Sequence, residues 1–413
     1  MGDLVLYVIA GEPSGDRLGG ALMTALAAER SAQFRGVGGR DMIAAGLQSR
    51  FDMSELTVMG ISEVLPRLPL ILRRIRETAD DVIATRPDAL ITIDSPDFTL
   101  RVAKRVRRAL PDIKVIHYVA PSVWAWRPAR AAKMARSVDH VLALLPFEPP
   151  YMEAAGMTCD FVGHPVVSKV QPTREEVAAY RQGLGLGPDD RALLLAPGSR
   201  RGEVRRLGQD FLETVRLLRR EMPTLAVVCP VAETVEAEVR ALLSELPGPV
   251  HIIPPEGGDA KRLAFAAADA ALCASGTVTL ELAAAGTPMV AAYRTTWLTA
   301  QIVRRVIRVN TANLINLIDR SETVPEFLQE FATPDALASA LMPLLTKPAA
   351  ASAQTDVFAS VMEKLGRGNT PPAVRAAKSV LDLIDGRRAQ PDPGRLPDLT
   401  DIPGPMARHR GKP

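Results

Sequence analysis

The 413 residues are enough for about two to three domains with large hydrophobic cores. The formal net charge is only +3 and aromatic residues make up 4% of the chain, so neither a basic nucleic-acid surface nor base-stacking platforms are expected. The three cysteines, Cys159, Cys229 and Cys273, are far apart in apolar surroundings. Their number and spacing exclude a disulfide framework and a zinc site, and they fit a reducing cytoplasm.

We expect neither a signal peptide nor a membrane span. The N-terminal apolar run covers only residues 4–10 and follows Asp3, which is too short and wrongly flanked for a signal peptide. No stretch of the sequence approaches the roughly 20 apolar residues that a spanning helix needs.

Short apolar strands alternate with amphipathic helical patterns along most of the chain. The candidate strands are residues 4–10, 89–93, 113–119, 140–145, 192–196, 225–229, 250–253, 270–274 and 289–293. This alternation is typical of parallel sheets with helices on both faces. A boundary at 163–172 predicts two doubly wound domains, residues 1–168 and 172–350. Residues 387–413 hold six prolines and three glycines in 27 positions, so we expect a disordered tail there.

The first polar turn, residues 11–16, comes directly after the first strand. It carries Ser14, Gly15 and Asp16. The turn has neither the lysine of a P-loop nor the glycine spacing of a dinucleotide fingerprint. Its position directly after a strand still predicts a ligand-facing turn, of unspecified kind.

Residues 59–75 interleave large aliphatic side chains with arginines. Because Pro66 and Pro69 forbid one regular helix, part of this apolar surface is expected to be exposed as an interfacial patch. The patch residues are Leu65, Leu68, Leu72 and Arg73. The alternative is an ordinary helix from Leu70 onward.

A single carboxylate follows the strand at 89–93. Ser95 is the expected N-cap and Pro96 the first helical residue, which places Asp97 at the mouth of the sheet. Asp97 is a candidate base, or it only complements the helix dipole.

Two of the chain's three tryptophans lie on one loop, after the strand at 113–119. Trp124 and Trp126 are followed by basic residues at three-residue steps, which are Arg127, Arg130, Lys133 and Arg136. Tryptophan beside cations suits an anionic amphiphile or a headgroup surface. The alternative is a pair of core tryptophans beside a solvated basic face.

Two further turns lie in the second half of the chain, each between an apolar strand and a helix. They are residues 197–200, with Ser199 and Arg200, and residues 275–277, Ser275, Gly276 and Thr277. Unpaired backbone amides at two such strand ends suit a diphosphate. Glu281 is not the usual capping-box partner of these turns, so its carboxylate is predicted to be free for a ribose hydroxyl. The alternative is that both turns are ordinary N-caps.

Taken together, these segments resemble the lipid-A-disaccharide synthase family. The resemblance covers about residues 4–386 and is carried by residues 11–16, 36–39, 94–98, 117–127, 197–200, 275–277 with Glu281, and 325–329. The sequence VWAWR in the tryptophan loop is specific to that family. The phosphate and ribose turns are shared by many glycosyltransferases of the GT-B fold.

The resemblance implies an α/β protein of the GT-B fold, with two Rossmann-like domains that face a central cleft and helices at 355–386 that return to the first domain. It implies an inverting transfer of 2,3-diacylglucosamine from UDP-2,3-diacylglucosamine to the 6-hydroxyl of 2,3-diacylglucosamine 1-phosphate (lipid X). The products are a β-1,6 disaccharide, for lipid A biosynthesis, and UDP. No cofactor is implied. The expected location is the cytoplasmic face of the inner membrane, bound peripherally, and a homodimer is one possible assembly.

The resemblance also assigns roles to individual residues. Asp97 corresponds to the general base. The donor residues are Ser199, Arg200, Ser275, Gly276, Thr277, Glu281, Asn316 and Gln329. The residues assigned to the acceptor side or to the cleft turn are Ser14, Gly15, Asp16, Trp124 and Arg127. Asn316 corresponds to the asparagine of an S-L-P-N motif that reads N-L-I-N here, a departure that concerns the sugar contact.

Metal use and the choice of substrate can also be addressed from the sequence. No two aspartates are two positions apart, so the D-x-D handle for Mg²⁺ is missing and the leaving-group charge is expected to be met by Arg200 and helix N-termini. Two alternatives stay open: another transferase or epimerase of the UDP-N-acetylglucosamine type, and a non-catalytic nucleotide-sugar-binding protein at the membrane. The tryptophan loop and the patch favour acylated substrates, because a water-soluble substrate needs neither.

Overall fold

Each half of the chain is built around one parallel sheet. This computed structural model describes residues 3–56, 61–125, 129–255, 257–296, 301, 309 and 311–387, with only the backbone of 61–66. The described chain divides into a first unit, residues up to Ser168 together with those from Leu365 onward, and a second unit, Lys169–Lys364. The predicted tail at 387–413 lies outside the described residues, apart from Arg387.

The sheet of the first unit is doubly wound. Its strands are β1 (Leu4–Ala10), β2 (Ala32–Val37), β3 (Gln48–Ser49), β4 (Ala89–Ile93), β5 (Lys114–Tyr118), β6 (His140–Ala143) and β7 (Thr158–Phe161). They lie in the order β3-β2-β1-β4-β5-β6-β7, and the pairs are parallel. The direction of winding reverses between β1 and β4, where Ala10 is in register with Ile93. In open α/β sheets, this switch point is where ligands bind.

The sheet of the second unit repeats this plan. Its strands are β8 (Ala192–Ala196), β9 (Ala226–Pro230), β10 (Val250–Ile253), β11 (Ala270–Ala274), β12 (Met289–Tyr293) and β13 (Glu326–Leu328). They lie in the order β10-β9-β8-β11-β12-β13, again with parallel pairs. The switch point lies between β8 and β11, where Ala196 is in register with Cys273.

Helices α1 to α12 lie between successive strands, and α13 to α15 follow the last strand. They are α1 (Pro13–Glu29), α2 (Arg40–Ala44), α3 (Ile61–Thr85), α4 (Pro96–Ala109), α5 (Ala129–Met134), α6 (Pro149–Glu153), α7 (Arg174–Gly183), α8 (Arg201–Glu221), α9 (Glu236–Leu243), α10 (Asp259–Ala267), α11 (Val278–Ala285), α12 (Leu314–Asp319), α13 (Pro334–Thr346), α14 (Pro348–Lys364) and α15 (Pro372–Ile384). Helices α1 and α15 share the core of the first unit, with Leu22, Leu26, Ala376 and Val380 buried. In the second unit, α8, α9 and α13 bury the corresponding face. Within the described residues, no helix combines the length and apolar composition that a membrane span requires.

The nine strands expected from the sequence are all present, with ends shifted by at most two residues. Four further strands, β2, β3, β7 and β13, were not predicted. Strand β2 reads AQFRGV and β13 reads EFL, and neither is a continuous apolar run. These strands lie towards the sheet edges, where burial on both faces is incomplete and apolar patterning is weaker.

The structure differs from the expected return of residues 355–386 to the first domain. Helix α14 belongs to the second unit, and α15 is the helix that joins the first. Gln354 accepts a hydrogen bond from the Met289 amide at 2.8 Å and donates one to the Met289 carbonyl at 3.1 Å, which attaches α14 to β12. Phe358 and Val361 are buried on the same helix. Burial and this backbone pairing therefore keep α14 in the second unit.

The expected interruption of residues 59–75 by proline is wrong. Helix α3 runs without a break from Ile61 to Thr85, through Pro66 and Pro69. A proline inside a helix costs about 3 kcal/mol, because it removes an amide and crowds the preceding turn. Tertiary packing offsets this cost, since the later turns bury Ile75, Ala79 and Val82.

Candidate functional site

At the switch point of the second unit, the turn after β8 is held by an internal carboxylate. Glu203 accepts hydrogen bonds from the backbone amides of Ser199 at 3.0 Å and Arg200 at 3.3 Å. The Arg200 guanidinium, 76% exposed, pairs with the same carboxylate at 3.3 Å. The expectation of unpaired amides is therefore wrong at these two residues. Glu203, in the first turn of α8, already accepts a hydrogen bond from each of these two amides.

The same turn requires a glycine at position 198. Gly198 has φ of 126°, and a Cβ placed there would lie 2.5 Å from the Cβ of Glu203. Contacts under 3.0 Å are not seen for real Cβ atoms, so the close approach depends on the missing side chain.

The turn after β11 is held by a second carboxylate that sequence reasoning missed. Ser275 donates its hydroxyl proton to Glu326 at 2.7 Å, and Glu326 also accepts from the Thr311 hydroxyl at 2.6 Å and the Ala312 amide at 3.0 Å. Because a hydroxyl has one proton to donate, Ser275 acts as an anchor for its turn. The sequence signal for this residue is the glutamate inside the family motif at 325–329.

The next two residues of this turn leave their backbone donors available. The amides of Gly276 and Thr277 find no acceptor among the described residues. Thr277 is exposed, and a Cβ at Gly276 would meet nothing within 4 Å. These donors precede α11, whose dipole favours an anion at this end.

Glu281, in the first turn of α11, is not free as the sequence predicted. Its carboxylate pairs with Lys261 at 3.1 Å through one oxygen and with Lys169 through the other. Burial by itself raises the pKa of Glu281, but the ammonium groups of Lys261 and Lys169 outweigh burial and hold the pKa below its ordinary value. The three side chains line a pocket of about 510 Å³, together with Phe265 and Gly258.

Asn316 and Gln329 both pair with nearby backbone. The buried Asn316 side chain accepts from the Val324 amide and donates to the Val324 carbonyl, each at 2.9 Å. The Gln329 amide pairs with the backbone of Thr295, accepting at 3.2 Å and donating at 3.3 Å. Asn313 caps α12 through its side-chain oxygen. The N-L-I-N segment is therefore a helix start whose asparagines are engaged within the second unit.

At the switch point of the first unit, Asp97 is exposed on the first turn of α4. The chain reaches it through two residues in the left-handed region, Asp94 with φ of 50° and Ser95 with φ of 42°. Ser95 is the N-cap residue as expected, but its hydroxyl caps no amide and has no partner among the described residues. Gly11 leaves room for this hydroxyl, since a Cβ there would lie 2.8 Å from it.

The neighbouring turn at 11–16 divides its residues between the surface and the core. Ser14 is exposed, whereas Gly15 and Asp16 are buried. The Asp16 carboxylate accepts hydrogen bonds from the amides of Gly39, Asp41 and Met42 at 2.7, 2.9 and 3.1 Å. The Asp16 carboxylate is therefore engaged with the backbone at the start of α2.

Trp124 is a core residue, in agreement with the alternative interpretation of its loop. Its ring meets Phe147 edge-on at 5.2 Å, and its indole nitrogen donates to Glu148 at 3.4 Å. Burial raises the pKa of Glu148 to about 7, opposed by hydrogen bonds from Leu145, Trp124 and Leu144. Trp126 and Arg127 lie outside the described residues.

On helix α3, two of the patch leucines are exposed. Leu68 is 38% exposed and Leu72 is 47% exposed. Arg73 is mostly exposed and lies 3.6 Å from Glu77. The side chain of Leu65 is outside the described part of the structure.

Comparison with known proteins decides the family. A sequence model described as lipid-A-disaccharide synthetase matches residues 6–380. The chain belongs to this family. A lipid-A-disaccharide synthase of Ruegeria pomeroyi is 53% identical over 92% of this chain and 96% of its own length. The corresponding protein of Rhodospirillum centenum is 47% identical over 96% of this chain and 99% of its own.

Solved structures agree with the fold that the lipid-A-disaccharide synthase family implies. A UDP-GlcNAc 2-epimerase from Neisseria meningitidis, bound to UDP-GlcNAc, superposes with a TM-score of 0.59 at 14% identity, covering 92% of this chain and 99% of that chain. The family, the GT-B fold and the glycosyltransferase class predicted from the sequence are thereby confirmed.

Proposed function

We propose that this chain catalyses the reaction for which its family is named, as a metal-independent glycosyltransferase. The donor would be UDP-2,3-diacylglucosamine and the acceptor lipid X, and the products a β-1,6 disaccharide and UDP. The match of the family model over residues 6–380 carries this proposal. The two switch points support it, because polar turns follow adjacent strands in each unit.

The donor diphosphate is assigned to the switch point of the second unit. The available amides of Gly276 and Thr277 and the exposed Arg200 would meet its charge. Glu281 would accept from the ribose. Ser275, Asn316 and Gln329, which contact neighbouring protein groups, would hold the surrounding turns in place.

The acceptor is assigned to the first unit, with Asp97 as the general base. As the 6-hydroxyl oxygen attacks the anomeric carbon of the donor, its proton passes to the Asp97 carboxylate. The bond from that carbon to the diphosphate breaks, and UDP leaves with the electron pair. Attack opposite the leaving group inverts the configuration and gives the β linkage. Exposure of Asp97 supports this role. The exposed Ser14 would line the acceptor side, and a role there for the loop of residues 117–127 stays a prediction.

The substrates' acyl chains place the reaction at a membrane surface. The exposed Leu68 and Leu72, with Arg73 beside them, suit peripheral binding to the anionic cytoplasmic face of the inner membrane. A homodimer stays a prediction, to be measured by sedimentation.

The deciding experiment supplies both acylated substrates and measures UDP and disaccharide. We expect both products to form in equal amounts, and neither with one substrate alone. Conversion of UDP-N-acetylglucosamine without an acceptor would instead support the epimerase alternative. Binding of UDP-2,3-diacylglucosamine with no product in the presence of lipid X would support the non-catalytic one.

A further inference from the structure

We propose that Lys169 and Lys261 are positioning residues that hold Glu281 as a two-oxygen acceptor for a vicinal diol. The proposal rests on the proposed function, because the diol is the ribose of the donor nucleotide. It adds two residues to the donor site that no motif of the sequence identified.

The two lysines are distributed over the two oxygens of one carboxylate. Lys261 donates to one oxygen of Glu281 at 3.1 Å, and Lys169 donates to the other. An ionised carboxylate can accept at about four positions, two on each oxygen. One lysine on each oxygen therefore leaves each oxygen able to accept a further hydrogen bond. The 2′ and 3′ hydroxyls of a ribose are two neighbouring donors that match this arrangement.

The Glu281 carboxylate is less exposed than either lysine. Glu281 is 23% exposed, whereas Lys169 and Lys261 are 57% and 52% exposed. A half-buried carboxylate is stable only when it is paired. The Lys261 ammonium also lies 5.3 Å from the centre of the Phe265 ring, which restricts its position.

Glu281 and the two lysines share one pocket. It has a volume of about 510 Å³, within the range of small-molecule sites, and Lys169, Lys261, Glu281 and Phe265 line it.

The test compares the affinities for UDP and 2′-deoxy-UDP by calorimetry. We expect the wild type to prefer UDP about tenfold or more, since a hydrogen bond to a charged group is lost with the 2′ hydroxyl. Glu281→Gln should bring the ratio of the two affinities close to one. Lys169→Met and Lys261→Met should each reduce it at least about threefold, while Lys→Arg at either position should restore it. Affinity for 2′-deoxy-UDP should change little, which separates loss of positioning from loss of fold.

Lys347→Met is the matched control, because this exposed lysine of the second unit has no contact with Glu281. An unchanged preference in both methionine variants would overturn the proposal while leaving the function intact. If the wild type binds UDP and 2′-deoxy-UDP with equal affinity, Glu281 does not bind the ribose. The proposed role of the two lysines then fails as well. Failure of the wild type to bind UDP would overturn the proposed function as well.

Discussion

At the scale of the residue, several carboxylates near the switch points support backbone turns. Asp16 holds the start of α2, Glu203 holds the turn after β8, and Glu326 anchors Ser275. Asp97 differs from them, because it is exposed and accepts no hydrogen bond from the described residues. An exposed carboxylate that holds no backbone turn fits the proposed proton transfer.

Asp97→Asn should therefore lower turnover by on the order of 10²-fold or more, the usual scale for general-base catalysis, and leave the free energy of unfolding unchanged. Steady-state kinetics with both acylated substrates and chemical denaturation measure the two effects. Asp16→Asn is the contrasting variant, expected to lose stability because its oxygens hold three amides. Near-normal turnover of Asp97→Asn would refute the role of Asp97.

At the scale of the element, the turns before α8 and α11 both contain glycine, but for different physical reasons. Gly198 is in the left-handed region and in contact with Glu203. Gly276 faces open space. A side chain at position 198 would therefore displace the helix cap, whereas one at position 276 would only narrow the approach to the amides.

Gly198→Ala should destabilise the protein by about 1–3 kcal/mol through backbone strain and the clash with Glu203. Gly276→Ala should change the free energy of unfolding by less than about 0.5 kcal/mol, in line with an unhindered site. Urea unfolding of the two variants gives the comparison. Equal stability of both would show that Glu203 moves aside.

Helix α3 is the second element with a testable surface. Each fully buried large aliphatic side chain contributes roughly 1.5–3 kcal/mol, and each nearby cation about 1 kcal/mol at an anionic leaflet. Leu68→Glu with Leu72→Glu should lower binding to phosphatidylglycerol vesicles and keep UDP affinity and folding, because both leucines are exposed. High salt should release part of the bound wild type.

Phe331→Glu is the control for this surface, as Phe331 is 66% exposed but belongs to the second unit. It should bind vesicles as the wild type does. If the double leucine variant folds and binds vesicles normally, the membrane-binding surface lies elsewhere on the protein. If the variant does not fold, Leu68 and Leu72 contribute to the hydrophobic core.

At the scale of the whole molecule, the two units share one strand plan and divide the proposed chemistry. The residues proposed for the acceptor belong to the first unit and those proposed for the donor to the second. The leaving diphosphate would be met by Arg200 and by the start of α11. The sequence contains no D-x-D pair that would recruit Mg²⁺ to a diphosphate.

Activity should therefore persist in excess EDTA, as measured by UDP release from both acylated substrates. The wild type assayed with added Mg²⁺ is the reference, and the two rates should agree within about twofold. Loss of activity in chelator, with recovery on adding Mg²⁺ or Mn²⁺, would contradict this leaving-group chemistry.

The sequence alone determined the fold class, the nine apolar strands and the positions of the four polar turns. Continuous apolar runs and glycine-containing turns are local patterns, and a local pattern is enough to end a strand or begin a helix. It was not enough for β2, β3, β7 and β13, which lack continuous apolar runs and are stabilised by pairing with the strands beside them. Nor did it show that α3 continues through two prolines, because packing of the later turns outweighs their cost.

Only the tertiary structure decided what the polar residues contact. It brought the turn after β1 beside the turn after β4, and the turn after β8 beside that after β11, through sheet order. The packing also determines the hydrogen-bond partners of three polar side chains. Glu281 binds two lysines, Ser275 binds a glutamate and Asp16 binds three backbone amides. The partners of Glu281, Ser275 and Asp16 lie between 20 and 112 positions away in the sequence. Hydrogen bonding between such distant groups depends on how the elements pack, and no local spacing encodes it.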